Sequence, residues 1–178
     1  MKLVKMFLKI YRLLFWSVEK QARYVGVTVG KGNFLSSRFW SSEPYLITIG
    51  DYCALTEGVK IHTHGGAHAV YSKVPNFDVF GKVKLGNYVY VGNNAQIMPG
   101  VTVGDNVIIA AGSIVTKSVP SNVVVGGNPA KILSTLDSFI EKNIIYNLNS
   151  RGFSREKKKL LLLSQTDDMF IHKDCMKL

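Results

Sequence analysis

A six-residue repeat is the feature that most constrains the fold of this chain. Aliphatic residues occupy every sixth position from residue 85 to residue 115, and a second series of small or aliphatic residues lies four positions after each of them. The first series is Leu85, Val91, Ile97, Val103, Ile109 and Val115, and the second is Val89, Ala95, Val101, Val107, Ser113 and Val119. An α-helix has a period of 3.6 residues and does not produce this spacing. We therefore interpret each hexad as one short strand followed by a corner.

Glycine followed by Asn or Asp marks several of these corners, at Gly86, Gly92 and Gly104. Both residue types tolerate positive φ, so we expect the chain to turn there. An earlier stretch has the same style, with Ile49, Leu55 and Ile61 as aliphatic positions, Gly50-Asp51 as a corner, Cys53 at a small inward position, and Val29-Gly30 with Leu35 as a partial coil. Three hexads make a coil, and stacked coils bury a continuous core as in other solenoids. The repeat predicts a parallel β-helix over residues 25–133.

Two segments interrupt this pattern and a third ends it. Residues 36–44 are irregular, and residues 65–82 lack the hexad spacing, which predicts a loop inserted at a corner. After Pro129 the repeat stops, and the apolar residues of 134–148 have helical spacing. Ser154 is a candidate N-cap for a further helix over 155–165. We predict a C-terminal helical segment over residues 134–178.

The charge of the chain is concentrated at its two ends. The 178 residues make one domain of ordinary size, and the net charge is +10. Residues 1–24 carry a net +5 and residues 150–178 a net +3, whereas the 125 residues between them carry only +2. A nearly neutral core disfavours nucleic-acid binding, so we expect no nucleic-acid partner. The two cysteines, Cys53 and Cys175, show neither a disulfide pattern nor zinc-ligand spacing.

Residues 1–24 are predicted to form one amphipathic helix. On an ideal helix its charged residues fall within an arc of roughly 100°, and apolar residues cover the rest. The apolar runs are far shorter than the roughly 20 residues that cross a membrane, and Arg12 breaks the core that a signal peptide needs. We therefore expect a cytoplasmic protein. The helix either packs against its own domain or a neighbouring subunit, or it lies on an anionic membrane at the inner face as a peripheral contact.

The stretch from Val91 to Lys131 resembles the hexapeptide-repeat acyltransferases. The most specific parts are VGNNAQIMPGVTVGDN at 91–106, IAAGSIVTK at 109–117 and GNPAK at 127–131, which are similar to the acetyl-CoA end of galactoside, maltose and polysaccharide O-acetyltransferases. The resemblance covers residues 49–133 and implies a left-handed coil, acetyl-CoA as co-substrate, and a homotrimer with active sites shared between subunits. It implies transfer of an acetyl group to a hydroxyl of a sugar or of a cell-surface polysaccharide precursor.

The same resemblance assigns candidate coenzyme A residues. The positions that match those lining the coenzyme groove in the galactoside enzyme are Asn93, Ala111, Thr116, Lys117 and Lys131. The chemistry agrees, because a ridge of small residues exposes backbone groups to the pantetheine arm, and lysines attract phosphates. Ser134 stands where the galactoside enzyme has a second arginine, so phosphate binding is expected to be weaker or to draw on Lys142 or a neighbouring chain.

Three of the four histidines lie close together, at His62, His64 and His68. In many polysaccharide O-acetyltransferases a Thr-His-Asp-Gly-Gly stretch carries the catalytic base, and Thr63-His64-Gly65-Gly66 matches it except at Gly65. His64 is therefore the predicted general base, with His68 as the reserve candidate. Asp51, Glu57 or a backbone carbonyl are its candidate orienting partners. We expect direct transfer in a ternary complex, without an acyl-enzyme.

Three alternatives share the predicted fold. A γ-type carbonic anhydrase needs three histidines on neighbouring coils, whereas His62, His64 and His68 fall within seven residues, so we expect no metal. The γ-carbonic-anhydrase-like metalloenzyme stays an open alternative, together with a non-catalytic β-helix module and an N-acetyltransferase acting on an amino sugar or its nucleotide derivative. Five aromatic residues are candidates to stack on the acceptor sugar or to pack locally: Tyr71, Phe77, Phe80, Trp40 and Tyr45.

Overall fold

The structure is a computed structural model that describes residues 2–176, and the side chains of all of these except Lys2, Leu3, Lys5 and Lys9. The chain forms two compact units, one that ends at Leu136 and one that begins at Asp137. The first unit holds the repeat and the predicted site residues.

Short strands make up the repeat region, and successive strands join three different sheets in turn. The strands are β1 (Thr28–Val29), β2 (Phe34–Leu35), β3 (Ile47–Ile49), β4 (Ala54–Leu55), β5 (Lys60–Ile61), β6 (Val83–Leu85), β7 (Tyr90–Val91), β8 (Gln96–Ile97), β9 (Thr102–Val103), β10 (Ile108–Ile109), β11 (Ile114–Val115), β12 (Val123–Gly127) and β13 (Ala130–Thr135). Sheet one has the order β1-β3-β6-β9, sheet two β2-β4-β7-β10-β12-β13 and sheet three β5-β8-β11. The pairs are parallel except β12 with β13. One circuit of the three sheets is therefore one coil.

The aliphatic positions of the repeat point into the core. Leu55 is in register with Val91, Val91 with Ile109, and Ile61 with Ile97, so like residues stack on successive coils. The six residues of the first series are at most 1% exposed and those of the second at most 8%. Burying each of the Val, Leu and Ile side chains among them contributes about 1.5–3 kcal/mol relative to exposure. The inward positions that the repeat predicted are confirmed.

The corners differ from the prediction in how they use glycine. Gly86, Gly92 and Gly104 do not adopt a positive φ. The residues two positions after them do, for example Asn94 with a φ of 59° and Asn106 with a φ of 56°. A Cβ on Gly92 would lie 2.5 Å from the backbone nitrogen of Ala111 in the next coil. The glycines are needed because successive coils stack closely there, and the residue two positions after each of them, Tyr88, Asn94 or Asn106, supplies the turn.

The N-terminal segment forms two helices rather than one. Helix α1 (Lys2–Phe15) ends before Ser17, which caps α2 (Val18–Val25) by accepting a hydrogen bond from the backbone N–H of Lys20. Ala22 of α2 is fully buried in the core. By contrast, nine apolar side chains of α1 are 45–71% exposed. The prediction that this helix packs against its own domain is therefore wrong for these side chains.

The C-terminal segment begins as a strand, not as a helix. Strand β13 includes Ser134 and Thr135 and runs antiparallel to β12, with Ser134 opposite Val124. The helical pattern predicted from residue 134 begins only at Leu136, with α3 (Leu136–Asn143), a 3-10 turn over Ile144–Tyr146 and α4 (Arg155–Leu163), which Ser154 caps. Backbone pairing with β12 overrides the helical spacing at the first two positions. No helix in the described range 2–176 has the length and apolar character to cross a membrane.

Candidate active site

Two edges of the coil carry the predicted site residues. We call the edge where the chain passes from sheet three to sheet one the His64 edge; it includes His64 after β5, Pro99 and Gly100 after β8, and Thr116 and Lys117 after β11. We call the edge between sheets two and three the Ala111 edge; it includes Asn93 after β7 and Ala111 after β10. Each side of a coil is six residues long, which is about 20 Å of extended chain.

His64 is paired with a carboxylate that the sequence analysis did not identify. Its Nδ1 lies 2.7 Å from Oε2 of Glu43, which is 16% exposed. An ionised carboxylate only accepts, so Nδ1 carries the proton in this hydrogen bond, and the lone pair of the neutral ring is on Nε2. Neither expected carboxylate takes this role: Asp51 accepts from the backbone N–H of Lys31 at a corner, and the Glu57 side chain is exposed.

Glu43 is held in place by Thr63, whose side chain is fully buried. Thr63 Oγ1 lies 2.7 Å from Glu43 Oε2 and 2.8 Å from Ser41 Oγ, and the backbone N–H of Thr63 donates to Ser41 Oγ at 3.3 Å. The hydrogen bond from Thr63 lowers the pKa of Glu43, partial desolvation opposes this, and the hydrogen bond from His64 adds to it. Because its pKa is lowered, the Glu43 carboxylate stays ionised at a lower pH than an ordinary carboxyl group does.

The exposed side of His64 faces a small open cavity of about 290 Å³. The cavity is lined by His64, Gly65, Val79, Phe80, Gly81, Pro99 and Gly100. The Phe80 ring lies 5.8 Å from the imidazole, and the backbone N–H of Gly81 donates to Thr63 O at 2.7 Å. A Cβ on Gly81 would lie 2.2 Å from the nitrogen of Gly100. The predicted loop over 65–82 thus returns tightly to the coil at the His64 edge.

A second cavity of about 420 Å³ brings together three of the five predicted coenzyme residues. Thr116, Lys117 and Lys131 line it, together with Ser118, Pro120 and Pro129 among others. Lys117 and Lys131 are exposed and have the charge that binds phosphate groups. Thr116 and Lys117 are on the His64 edge, two coils after His64. This cavity and the histidine therefore lie on the same edge of the coil.

The other two predicted coenzyme residues lie on the Ala111 edge. The backbone N–H of Gly112 donates to Asn93 O at 2.8 Å, so the Asn93 and Ala111 corners stack directly. Both side chains are exposed. Within one chain, the structure therefore separates Asn93 and Ala111 from His64, Thr116 and Lys117 by one side of the coil.

The remaining candidates take separate positions. His62 Nε2 lies 3.1 Å from Gln96 Oε1, and the His68 ring packs against Tyr71 with centroids 5.0 Å apart. Trp40 is only 6% exposed and belongs to the core, so the suggestion that it stacks on a sugar is wrong. Cys53 is buried, and burial raises the pKa of its thiol. Among the residues described, no three His, Cys, Asp or Glu side chains are grouped to hold a metal ion.

Comparison with known proteins points to one family. The family described as "Bacterial transferase hexapeptide (six repeats)" matches residues 82–117. Protein CapG of Staphylococcus aureus is 42% identical over 166 residues, which cover 90% of this chain and 95% of CapG. A galactoside O-acetyltransferase of Escherichia coli is 33% identical over 113 residues, which cover 62% of this chain and 55% of that enzyme. A putative colanic acid biosynthesis acetyltransferase, WcaF of Escherichia coli, is 30% identical over 128 residues and is matched over 70% of its length.

Two solved structures show the same similarity. A maltose O-acetyltransferase from Clostridium difficile has a TM-score of 0.54 and 31% identity, and covers 62% of this chain. A hexapeptide-repeat acetyltransferase from Vibrio cholerae, complexed with acetyl coenzyme A, has a TM-score of 0.57 and 27% identity over the same share of the chain. The match spans 59% and 61% of these two proteins.

Proposed function

Since the chain belongs to the hexapeptide-repeat acetyltransferases, we propose that it transfers the acetyl group of acetyl-CoA to a hydroxyl of a sugar in a cell-surface polysaccharide or its precursor. The observation that carries the proposal is the pairing of His64 with Glu43, whose Oε2 lies 2.7 Å from His64 Nδ1. The pair lies beside an open cavity, on the edge that also includes Thr116 and Lys117. The names of the galactoside and colanic acid relatives support a sugar acceptor.

In the proposed mechanism His64 is a general base. Its Nε2 takes the proton of the sugar hydroxyl while the hydroxyl oxygen attacks the thioester carbonyl carbon. The carbon–sulfur bond then breaks, coenzyme A leaves as a thiolate, and the imidazolium returns the proton to the sulfur. A positioned base contributes about 10²–10⁴ in rate, and a backbone N–H near the corner would stabilise the oxyanion.

Glu43 is a positioning residue in this scheme. By accepting from Nδ1 it selects the tautomer with a basic Nε2, and its negative charge favours the imidazolium that forms during attack. The lowered pKa of Glu43 supports this role, because the carboxylate stays ionised while the histidine gains and loses its proton.

The two-edge arrangement supports an active site shared between subunits. Asn93 and Ala111 are on one edge, and His64, Thr116 and Lys117 on another. In a closed trimer, the Ala111 edge of one subunit faces the His64 edge of its neighbour, and acetyl-CoA lies between them. We also infer that the coil is left-handed, as in the family, and that the enzyme acts in the cytoplasm, where acetyl-CoA is available.

The test is an acceptor screen with the purified protein. Acetyl-CoA is supplied with free sugars, nucleotide sugars and lipid-linked glycans, and free thiol and acetylated product are measured. We expect an acetyl ester that mild alkali removes; an alkali-stable amide on an amino sugar would indicate the N-acetyltransferase alternative. Absence of both coenzyme A binding and transfer would indicate a non-catalytic module.

The His64→Ala variant tests the assigned base in the same assay. We expect kcat to fall by about 10²–10⁴ while coenzyme A binding and the thermal unfolding profile stay unchanged, since the base acts only on the acceptor proton. A variant that keeps more than about a tenth of the activity would overturn the assignment of His64.

A further inference from the structure

Helix α1 presents an apolar surface that the first unit does not use. Val4, Phe7, Leu14 and Phe15 are 61–71% exposed, and five further apolar side chains of the helix are 45–53% exposed. Single exposed apolar residues are common on protein surfaces, but a contiguous set on one helix indicates a site of interaction.

The charge of α1 identifies the kind of partner. The helix carries Lys2, Lys5, Lys9 and Arg12 and no acidic residue. A second copy of this helix would bring four more positive charges against the same four, which opposes self-association through α1. A helix whose exposed side chains are apolar and whose charged residues are all basic is complementary to an anionic lipid surface, which accepts apolar side chains below its phosphates.

The end of α1 has the residues typical of a membrane–water boundary. The guanidinium of Arg12 lies 4.1 Å from the centre of the Tyr24 ring, Lys20 Nζ lies 4.5 Å from the Trp16 ring, and Trp16 packs edge-on against Tyr24. Trp, Tyr and basic side chains concentrate at headgroup level in membrane proteins. This cluster is fixed to the folded unit, because Gln21 donates from Nε2 to Trp16 O at 2.9 Å and neighbouring Ala22 is buried.

We propose that α1 lies in the plane of an anionic membrane as an interfacial helix and holds the folded unit at that surface through α2. The proposal goes beyond the transfer reaction and does not depend on it. A peripheral position of this kind would keep the enzyme close to acceptors that are themselves carried on lipid.

Vesicle co-sedimentation of the full chain tests the proposal. We expect at least tenfold stronger partition onto vesicles of equal parts phosphatidylglycerol and phosphatidylcholine than onto phosphatidylcholine alone. Binding should weaken as sodium chloride rises from about 0.05 to about 0.5 M, because salt screens the charge attraction. Equal binding to both vesicles, or none to either, would overturn the proposal.

Matched variants separate the two contributions. Phe7→Gln with Leu14→Gln removes apolar surface without changing the charge, and Lys5→Glu with Lys9→Glu reverses two charges; each pair should reduce binding at least tenfold. Lys158→Glu with Lys159→Glu makes the same charge change on exposed residues of α4 and should leave binding nearly unchanged. An equal loss of vesicle binding in this control would show that net charge alone causes the effect, and it would overturn the role of α1.

Two further readouts complete the test. Transfer to a soluble acceptor should be the same in all three variants and the wild type, so a failure of the membrane proposal is distinguishable from a failure of the proposed function. If light scattering shows that Phe7→Gln with Leu14→Gln dissociates an assembly of the wild-type protein, then α1 covers a second copy and the proposal is wrong.

Discussion

Glu43 Oε2 lies 2.7 Å from His64 Nδ1, although one complete coil separates the two residues. Glu43 precedes β3 and His64 follows β5, so the chain makes one circuit of the three sheets between them and returns to the same edge. The pairing therefore results from the coil itself and depends on its register.

Glu43→Gln should reduce kcat and leave acetyl-CoA binding unchanged. The amide keeps the shape of the side chain but loses the charge that favours the imidazolium, so we expect kcat to fall by roughly tenfold to hundredfold, because hydrogen bonds to charged groups are stronger than neutral ones. Steady-state kinetics with both substrates varied provides the measurement. Glu57→Gln, an exposed carboxylate outside the pair, is the control; if its kcat fell equally, the special role of Glu43 would be refuted.

The stability of the protein should depend on Glu43 in a pH-dependent way. Because the pKa of Glu43 is lower in the folded state than in the unfolded chain, its contribution is present above the unfolded value and is lost as pH falls through the folded value. Thermal unfolding of the wild type and Glu43→Gln is measured between about pH 3 and about pH 5, the range that spans the reference pKa of a carboxyl group. The difference in stability between the two proteins should shrink as the pH falls through this range; a difference that grew would contradict the sign of the shift.

Lys131→Ala should weaken acetyl-CoA binding with little change in kcat at saturation. A phosphate contact remote from the thioester contributes equally to the ground and transition states. For an exposed lysine we expect about a 3–10-fold rise in Kd at low salt, less at high salt, measured by calorimetry. Lys84→Ala, on the outer face of sheet one, is the matched control and should not alter Kd. An unchanged Kd for Lys131→Ala would exclude Lys131 from the coenzyme site.

Mixed assemblies should recover activity if sites are shared between subunits. His64→Ala removes the base on one edge, and Ala111→Trp blocks the other edge; each variant alone should be nearly inactive. Coexpressed with different affinity tags and purified as mixed species, they should regain a measurable fraction of activity, because some interfaces combine an intact His64 edge with an intact Ala111 edge. Activity that stays at the level of the single variants, or a fully active wild-type monomer in light scattering, would argue for a site within one chain.

Gly92→Ala should destabilise the coil. The added Cβ would lie 2.5 Å from the backbone nitrogen of Ala111, so two coils must move apart, at a cost of about 1–3 kcal/mol. For a chain of this size each kcal/mol lowers Tm by about 2–4 °C. Gly65→Ala, where the structure offers open space, should change Tm little. Equal destabilisation at both positions would contradict coil spacing as the cause, because the effect of Gly→Ala on the unfolded chain is stabilising.

The core of this protein could be predicted from sequence because it depends on a local period. One side of the coil is six residues long, so residues six apart occupy the same inward position on successive sides. This is why Leu85, Val91 and Ile97 are all buried. The family match at 91–131 identified the three residues that line the second cavity, Thr116, Lys117 and Lys131. Both signals lie in short stretches of sequence.

The partner of His64 was missed because no local signal marks it. Glu43 lies in the irregular segment before β3, where the repeat cannot be traced, and the carboxylates nearest in sequence to the corner pattern were Asp51 and Glu57. The length of one coil would have pointed to residues about 18 to 21 positions before His64, but only once the register of that segment was known.

The sequence by itself determined the repeat, the inward face of each strand and the residues able to bind a phosphate or accept a proton, because these follow from spacing and side-chain chemistry. Only the tertiary structure decided which carboxylate meets His64, that Trp40 is core, that the N-terminal segment breaks at Ser17, and that the predicted coenzyme residues are divided between two edges. These depend on contacts between residues distant in the chain. Such contacts are set by how coils stack and where the irregular segments return.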